Sequence, residues 1–154
     1  MGTVTYDQVN LMLRLYDLRR EARMRQARDW FAQNYYANTV EELFALCPMG
    51  SDANAFVRMI VSYWEMCASI VNRGLIDEEL YFENSGEQFF VWERIKPLVP
   101  HFRTMYKNPY YLSNLEEHCR RFEAWCEKRS PGMVAIWRQN IQQRPQAAGK
   151  DSKT

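Results

Sequence analysis

From Asp52 to Gly74 the chain reads Asp-Ala-Asn-Ala-Phe-Val-Arg-Met-Ile-Val-Ser-Tyr-Trp-Glu-Met-Cys-Ala-Ser-Ile-Val-Asn-Arg-Gly, and this stretch decides the fold class. On a helix, Phe56, Val57, Ile60, Val61, Trp64, Cys67, Ala68 and Val71 form one broad apolar arc. Arg58, Ser62, Glu65, Ser69 and Asn72 make a narrower polar strip opposite. So wide an arc needs more than one neighbour to cover it. The pattern therefore predicts a central buried helix inside an all-α bundle. Asp52 or Ser51 suits its N-cap, and Gly74 suits a left-handed residue just past its end.

Toward the N-terminus, Thr5 and Gln8 have capping-box spacing and predict one long helix from about Tyr6 to Tyr36. Its first half is apolar on two sides. Val9, Met12, Leu13 and Tyr16 share one face, and Leu11, Leu15, Leu18 and Ala22 share another. A helix on the surface of a monomer needs only one such face, so the second is to be covered by another segment of the chain or by another copy, which makes it a candidate self-association surface. The second half is arginine-rich, with Asp17, Glu21 and Asp29 interspersed, which fits intrahelical pairs on a solvated face. The small net charge and the lack of a groove-reading motif argue against nucleic acid as its partner. Thr39 and Glu42 repeat the capping spacing for a short helix that Pro48 and Gly50 end.

Toward the C-terminus, Asp77 opens a short helix to Glu83, and Ser85 with Gln88 gives a third capping box. Pro97 and Pro100 should kink or break the apolar run from Phe89 to Tyr106. Asn108-Pro109 and Ser130-Pro131 read as helix starts. Between them Leu112, Leu115, Cys119, Phe122 and Cys126 form a core stripe. Residues 1–144 are expected to form a single helical domain and 145–154 a disordered tail.

The totals agree with a folded bundle: 154 residues, 47% hydrophobic and 14% aromatic, with a net charge of +1. Residues 74–95 hold six acids and one Arg, whereas 96–154 hold eleven bases and five acids. Complementary faces within the fold, or across a subunit contact, would account for that asymmetry. The four cysteines contain no Cys-x-x-Cys pair, and with no signal peptide they are expected to be reduced core thiols of a cytoplasmic protein. No apolar window is long enough to span a bilayer, so no membrane partner is expected.

Catalytic and metal signals stay at background. His101 and His118 are the only histidines, neither has a ligand pair at zinc spacing, and no metal or cofactor is expected. Glu65 stands in the most apolar helix, where a carboxylate needs a partner. Arg20, Arg23 and Arg103 are the candidates for a buried ion pair. An aromatic pocket could form around Trp64, Trp92, His101 and Phe102, near Glu65 and Arg103.

Three stretches resemble a bacterial family of uncharacterised helical domains, family 4760 of the domains of unknown function. They are Leu-Arg-Arg-Glu-Ala-Arg-Met-Arg-Gln-Ala-Arg at 18–28, Ser-Tyr-Trp-Glu-Met-Cys-Ala-Ser-Ile-Val-Asn-Arg-Gly-Leu-Ile-Asp at 62–77, and Trp-Glu-Arg-Ile-Lys-Pro-Leu-Val-Pro-His-Phe-Arg at 92–103. Many members of that family carry a membrane helix ahead of the domain, which this sequence does not show. The resemblance implies an all-α cytoplasmic module and supplies no activity. The residues themselves favour a non-enzymatic module that binds a protein partner or a second copy of itself. A small-molecule-binding protein or an enzyme with an aromatic pocket is the alternative, and nucleic-acid binding through the arginine-rich helix is the third.

Overall fold

The computed structural model describes residues 2–144 and is all-α, with no strand among the described residues; the expected tail at 145–154 lies outside them. The elements are α1 Tyr6–Arg19, α2 Ala22–Asn34, α3 Val40–Leu46, α4 Asp52–Asn72, α5 Glu78–Asn84, α6 Glu87–Ile95, α7 Val99–Met105, α8 Ser113–Arg129 and α9 Met133–Gln142. A 3₁₀ turn over Lys96–Leu98 joins α6 to α7. It falls where Pro97 and Pro100 remove backbone donors.

α4 is the central helix. Ile60, Val61, Trp64, Cys67, Ala68 and Val71 are all buried, and α4 packs mainly against α2 and α8. Ser51 rather than Asp52 caps it, its hydroxyl accepting from the Asn54 N–H at 3.1 Å. At the other end Gly74 takes φ +75°, and the N–H groups of Gly74 and Leu75 return to the carbonyls of Val71 and Ile70. The apolar stripe of α8 is buried as its spacing predicts, from Leu115 to Cys126.

The single long N-terminal helix expected from Tyr6 to Tyr36 is two helices. Glu21 breaks it. Its carboxylate accepts from the N–H groups of Arg23 and Met24 at 3.1 and 3.0 Å, which starts a second helix. Those two bonds also hold the Glu21 carboxyl below the usual range. The break lets Met24, Ala27 and Phe31 turn inward on α2 while Leu15 turns inward on α1.

The helix expected at Asn108-Pro109 starts later, at Ser113. The Asn108 side chain accepts from the Tyr110 N–H at 3.0 Å and builds a turn instead. Leu112 then sits at φ +56° with its side chain buried, and no side chain of its own segment caps α8. The cap comes from α4. Glu65 accepts from the N–H groups of Asn114 and Leu115 at 3.2 and 2.7 Å, and from the Asn114 amide at 3.0 Å.

The acidic and basic segments meet within the fold. Glu78 faces Arg121 at 3.2 Å, and the buried Glu93 binds Arg138 at 2.5 Å and also Lys96. Glu87 holds Arg28 through two bonds of 2.7 and 2.8 Å. All four cysteines are buried and free. No helix among the described residues is long and apolar enough to cross a membrane.

Candidate ligand cavity

Between α3, the N-terminal half of α4, the α6–α7 junction and the 106–112 turn lies a cavity of about 310 Å³. Its floor is buried side chains: Tyr35, Leu43, Cys47, Val61, Leu98 and Leu112. Its mouth is exposed ones: Phe44, Met49, Arg58, Met105 and Tyr106. Pro97 and Pro100 sit where a 3₁₀ turn separates α6 from α7, and Lys107 and Leu112, at φ +51° and +56°, turn the chain between α7 and α8 beside the hollow. The walls are rich in rings, with Phe102 and Tyr106 stacked at 5.6 Å and Tyr111 edge-on to Tyr106 at 5.3 Å.

Polar groups are few here. Arg58 is the one charged lining side chain, and it makes no ion pair among the described residues. The Asn54 amide donates to the Cys47 carbonyl at 3.4 Å. Burial pushes the Cys47 thiol up to about 11 and the Tyr111 phenol up to about 12, and it raises Tyr35 further still. All three keep their protons at neutral pH, so none is an activated nucleophile.

The family model described as "Domain of unknown function (DUF4760)" matches residues 5–122. The chain belongs to this family. The DUF4760 match runs from just before α1 into α8 and takes in every wall of the cavity, while α9 lies beyond it. No curated protein and no solved structure matches the chain.

The residues singled out from sequence are scattered over this DUF4760 fold. Phe102 lines the cavity, but Trp92 and His101 do not, and Trp64 borders a separate hollow of about 300 Å³ beneath α1. His101 is exposed. Glu65 is half-buried and pairs with no arginine, because the free backbone donors of α8 lie closer to it. Arg23 instead meets Asp52 at 3.3 Å and covers the Phe56 ring, Arg20 lies over Tyr16, and Arg103 binds Glu116 at 2.6 Å. Of the proposed association face, Leu15 is buried and Leu11 packs on the core. Leu18 and Ala22 are exposed on opposite sides of the Glu21 break. With Leu18, exposed Tyr6, Leu13 and Tyr16 are the large apolar groups that α1 leaves uncovered.

Sequence reasoning missed two buried clusters. Arg94 is clamped between Tyr36 and Phe90 at 4.0 and 4.3 Å and donates to the carbonyls of Phe31, Ala32 and Ile141. Its signal was a lone base in the acidic 74–95 segment. His118 is 1% exposed, lies 3.2 Å from the Gln88 amide, and meets Tyr81 and Phe82 edge-on. Burial, with Arg121 adding to it, lowers its pKa to about 4. Gln88 also stays tied to Ser85, accepting from its hydroxyl and donating to its carbonyl, both at 2.8 Å, so the pair predicted as a capping box bonds side chain to side chain and leaves α6 without a side-chain cap. No group of three or more His, Cys, Asp or Glu among the described residues could hold a metal ion.

Proposed function

We propose that this domain binds a small, largely apolar organic molecule in the cavity between α3, α4 and α7. The observation that carries the reading is the hollow itself. An apolar cavity of 150 Å³ accepts benzene, and this one, at about 310 Å³ with an open mouth, takes a two-ring molecule. The absence of any activated nucleophile or titrating acid–base pair among its lining residues favours binding over catalysis. Arg19 and Arg28 meet Glu87, Arg23 meets Asp52 and Arg20 lies over Tyr16, which leaves Arg14 and Arg25 as the free cations of the first two helices among the described residues and argues against a nucleic-acid surface there. Buried free thiols fit work in a reducing compartment such as the cytoplasm.

Naphthalene is a suitable neutral probe. At ten times its dissociation constant it should stabilise the protein by about 1.4 kcal/mol, a rise in Tm of roughly 3–6 °C. Val61→Phe, or the less buried Val57→Phe, should fill the hollow and abolish that rise. No shift with the parent protein would remove the reading.

A second reading is self-association through the outward face of α1, supported by exposed Tyr6, Leu13 and Tyr16. Sedimentation equilibrium tests it: Leu13→Glu should shift a dimer to monomer, and a parent that is monomeric at high micromolar concentration ends it.

A further inference from the structure

Resting on the cavity reading, we infer that the ligand is a compact ring system with a hydroxyl or carbonyl oxygen at its buried end, received by the hydroxyl of Tyr35. Tyr35 follows the last turn of α2, and its N–H donates to the Phe31 carbonyl at 3.0 Å. Its ring stacks on Phe31 with centroids 4.7 Å apart and planes 15° apart. The phenol is therefore held in place before any ligand arrives. The residue is 2% exposed and lines the cavity; no protein group among the described residues hydrogen-bonds its hydroxyl, and that oxygen is not sealed in the core, so it opens on the hollow.

A hydroxyl that opens on a largely apolar hollow still needs a partner. The polar neighbours that burial brings to Tyr35 are the Cys47 thiol and the Tyr111 phenol, both protonated at neutral pH and neither bonded to it. The partner must therefore come from outside the chain. A single water occupies about 30 Å³ of liquid, a small part of a cavity of about 310 Å³. Apart from Asn54, the Tyr111 phenol and, at the mouth, Arg58 and Tyr106, the remaining walls are apolar and offer further waters little to bond to. The aromatic walls Phe44, Phe102, Tyr106 and Tyr111 favour a flat ring over a flexible chain. A hydroxyl on that ring can accept from or donate to Tyr35, and a carbonyl accepts.

The test compares naphthalene with 2-naphthol by calorimetric titration. Burying the naphthol oxygen without a partner would make it the weaker ligand. With Tyr35 as partner it should bind the parent protein about fivefold tighter than naphthalene. In Tyr35→Phe that preference should vanish while the naphthalene affinity stays within about twofold. The inference is overturned if 2-naphthol binds the parent no better than naphthalene, or if its advantage survives Tyr35→Phe. The first of these outcomes needs no variant. If neither probe binds the parent, the cavity reading falls as well, whereas equal binding of both leaves the cavity standing and removes only the role of Tyr35.

Discussion

The two halves of α4 carry the same kind of apolar stripe and meet different neighbours. In the C-terminal half, Trp64, Cys67, Ala68 and Val71 are buried, and polar side chains join this half to α8. Glu65 caps the first turn of α8, and Asn72 donates to the Asn114 carbonyl at 3.0 Å while accepting from Arg121 at 2.6 Å. In the N-terminal half, Val57 and Val61 face the cavity, and the Arg58 side chain makes no hydrogen bond among the described residues. Apolar periodicity chooses the inward face of a helix. Whether that face is packed or hollow depends on how closely the next element is drawn in, and here hydrogen bonds between helices do the drawing.

The largest expected difference comes from cutting a side chain on each half. Trp64→Ala should destabilise by about 3–5 kcal/mol, because the indole is buried and, although it borders the hollow beneath α1, its loss removes far more packed surface than a valine's and enlarges that hollow. Val57→Ala should lose about 1 kcal/mol or less, since its outer carbons already border open space. Urea unfolding measures both, and equal losses would break the comparison.

Next comes His118, on the α8 face that packs against α5. Its folded pKa of about 4 lies below the ordinary value of 6.5, so between those pH values the unfolded chain binds the extra proton. Stability should therefore fall as pH drops through that window, by roughly 3 kcal/mol from this group. Carboxylates titrate there too, so the measurement is the difference in slope from His118→Gln. Parallel pH curves for the two proteins would show that the imidazole is solvated after all.

Much of this was legible in sequence. The all-α class, the inward faces of α4 and α8, the cap at Thr5 and the terminator at Gly74 all follow from local rules, because the groups involved lie within a turn or two of each other. The partner of Glu65 did not follow. A carboxylate in an apolar helix announces that it needs donors, but arginines and free backbone N–H groups meet the need equally well. Only the approach of Asn114 and Leu115, some fifty residues on, decides between them. The break at Glu21 was missed for a related reason: a carboxylate can pair along a helix or cap a new one, and the periodicity of either half continues smoothly across it. The cavity left no local signal, since Phe102 and Tyr111 look alike whether they fill a core or line a hollow.

Glu65 itself gives the third expected effect. Glu65→Ala removes the acceptor for two backbone N–H groups and one amide, and should cost about 2 kcal/mol, at the upper end for a helix cap. Glu65→Gln keeps an oxygen there and should cost about half as much. A loss near zero in Glu65→Ala, followed by urea unfolding, would mean that water caps α8 equally well and that the polar ties of this half of α4 contribute little.

The smallest effect separates two helix ends built alike. α4 and α7 both finish with a left-handed residue whose N–H returns to the carbonyl three back, and with a next N–H that reaches five back: Gly74 and Leu75 on α4, Lys107 and Asn108 on α7. At φ +75°, glycine has no Cβ to crowd the following carbonyl. At φ +51°, Lys107 does, and its exposed side chain gains no burial in return. The left-handed position costs a non-glycine residue about 1 kcal/mol or somewhat more, whereas glycine adds about half that or more in unfolded-chain entropy. Lys107→Gly should therefore stabilise by roughly 0.5 kcal/mol, about 1–2 °C in Tm. Gly74→Ala, with open space around a new Cβ but the same φ, should lose a comparable amount. If Lys107→Gly instead melts lower than the parent, the turn at the cavity rim is not held in a strained conformation.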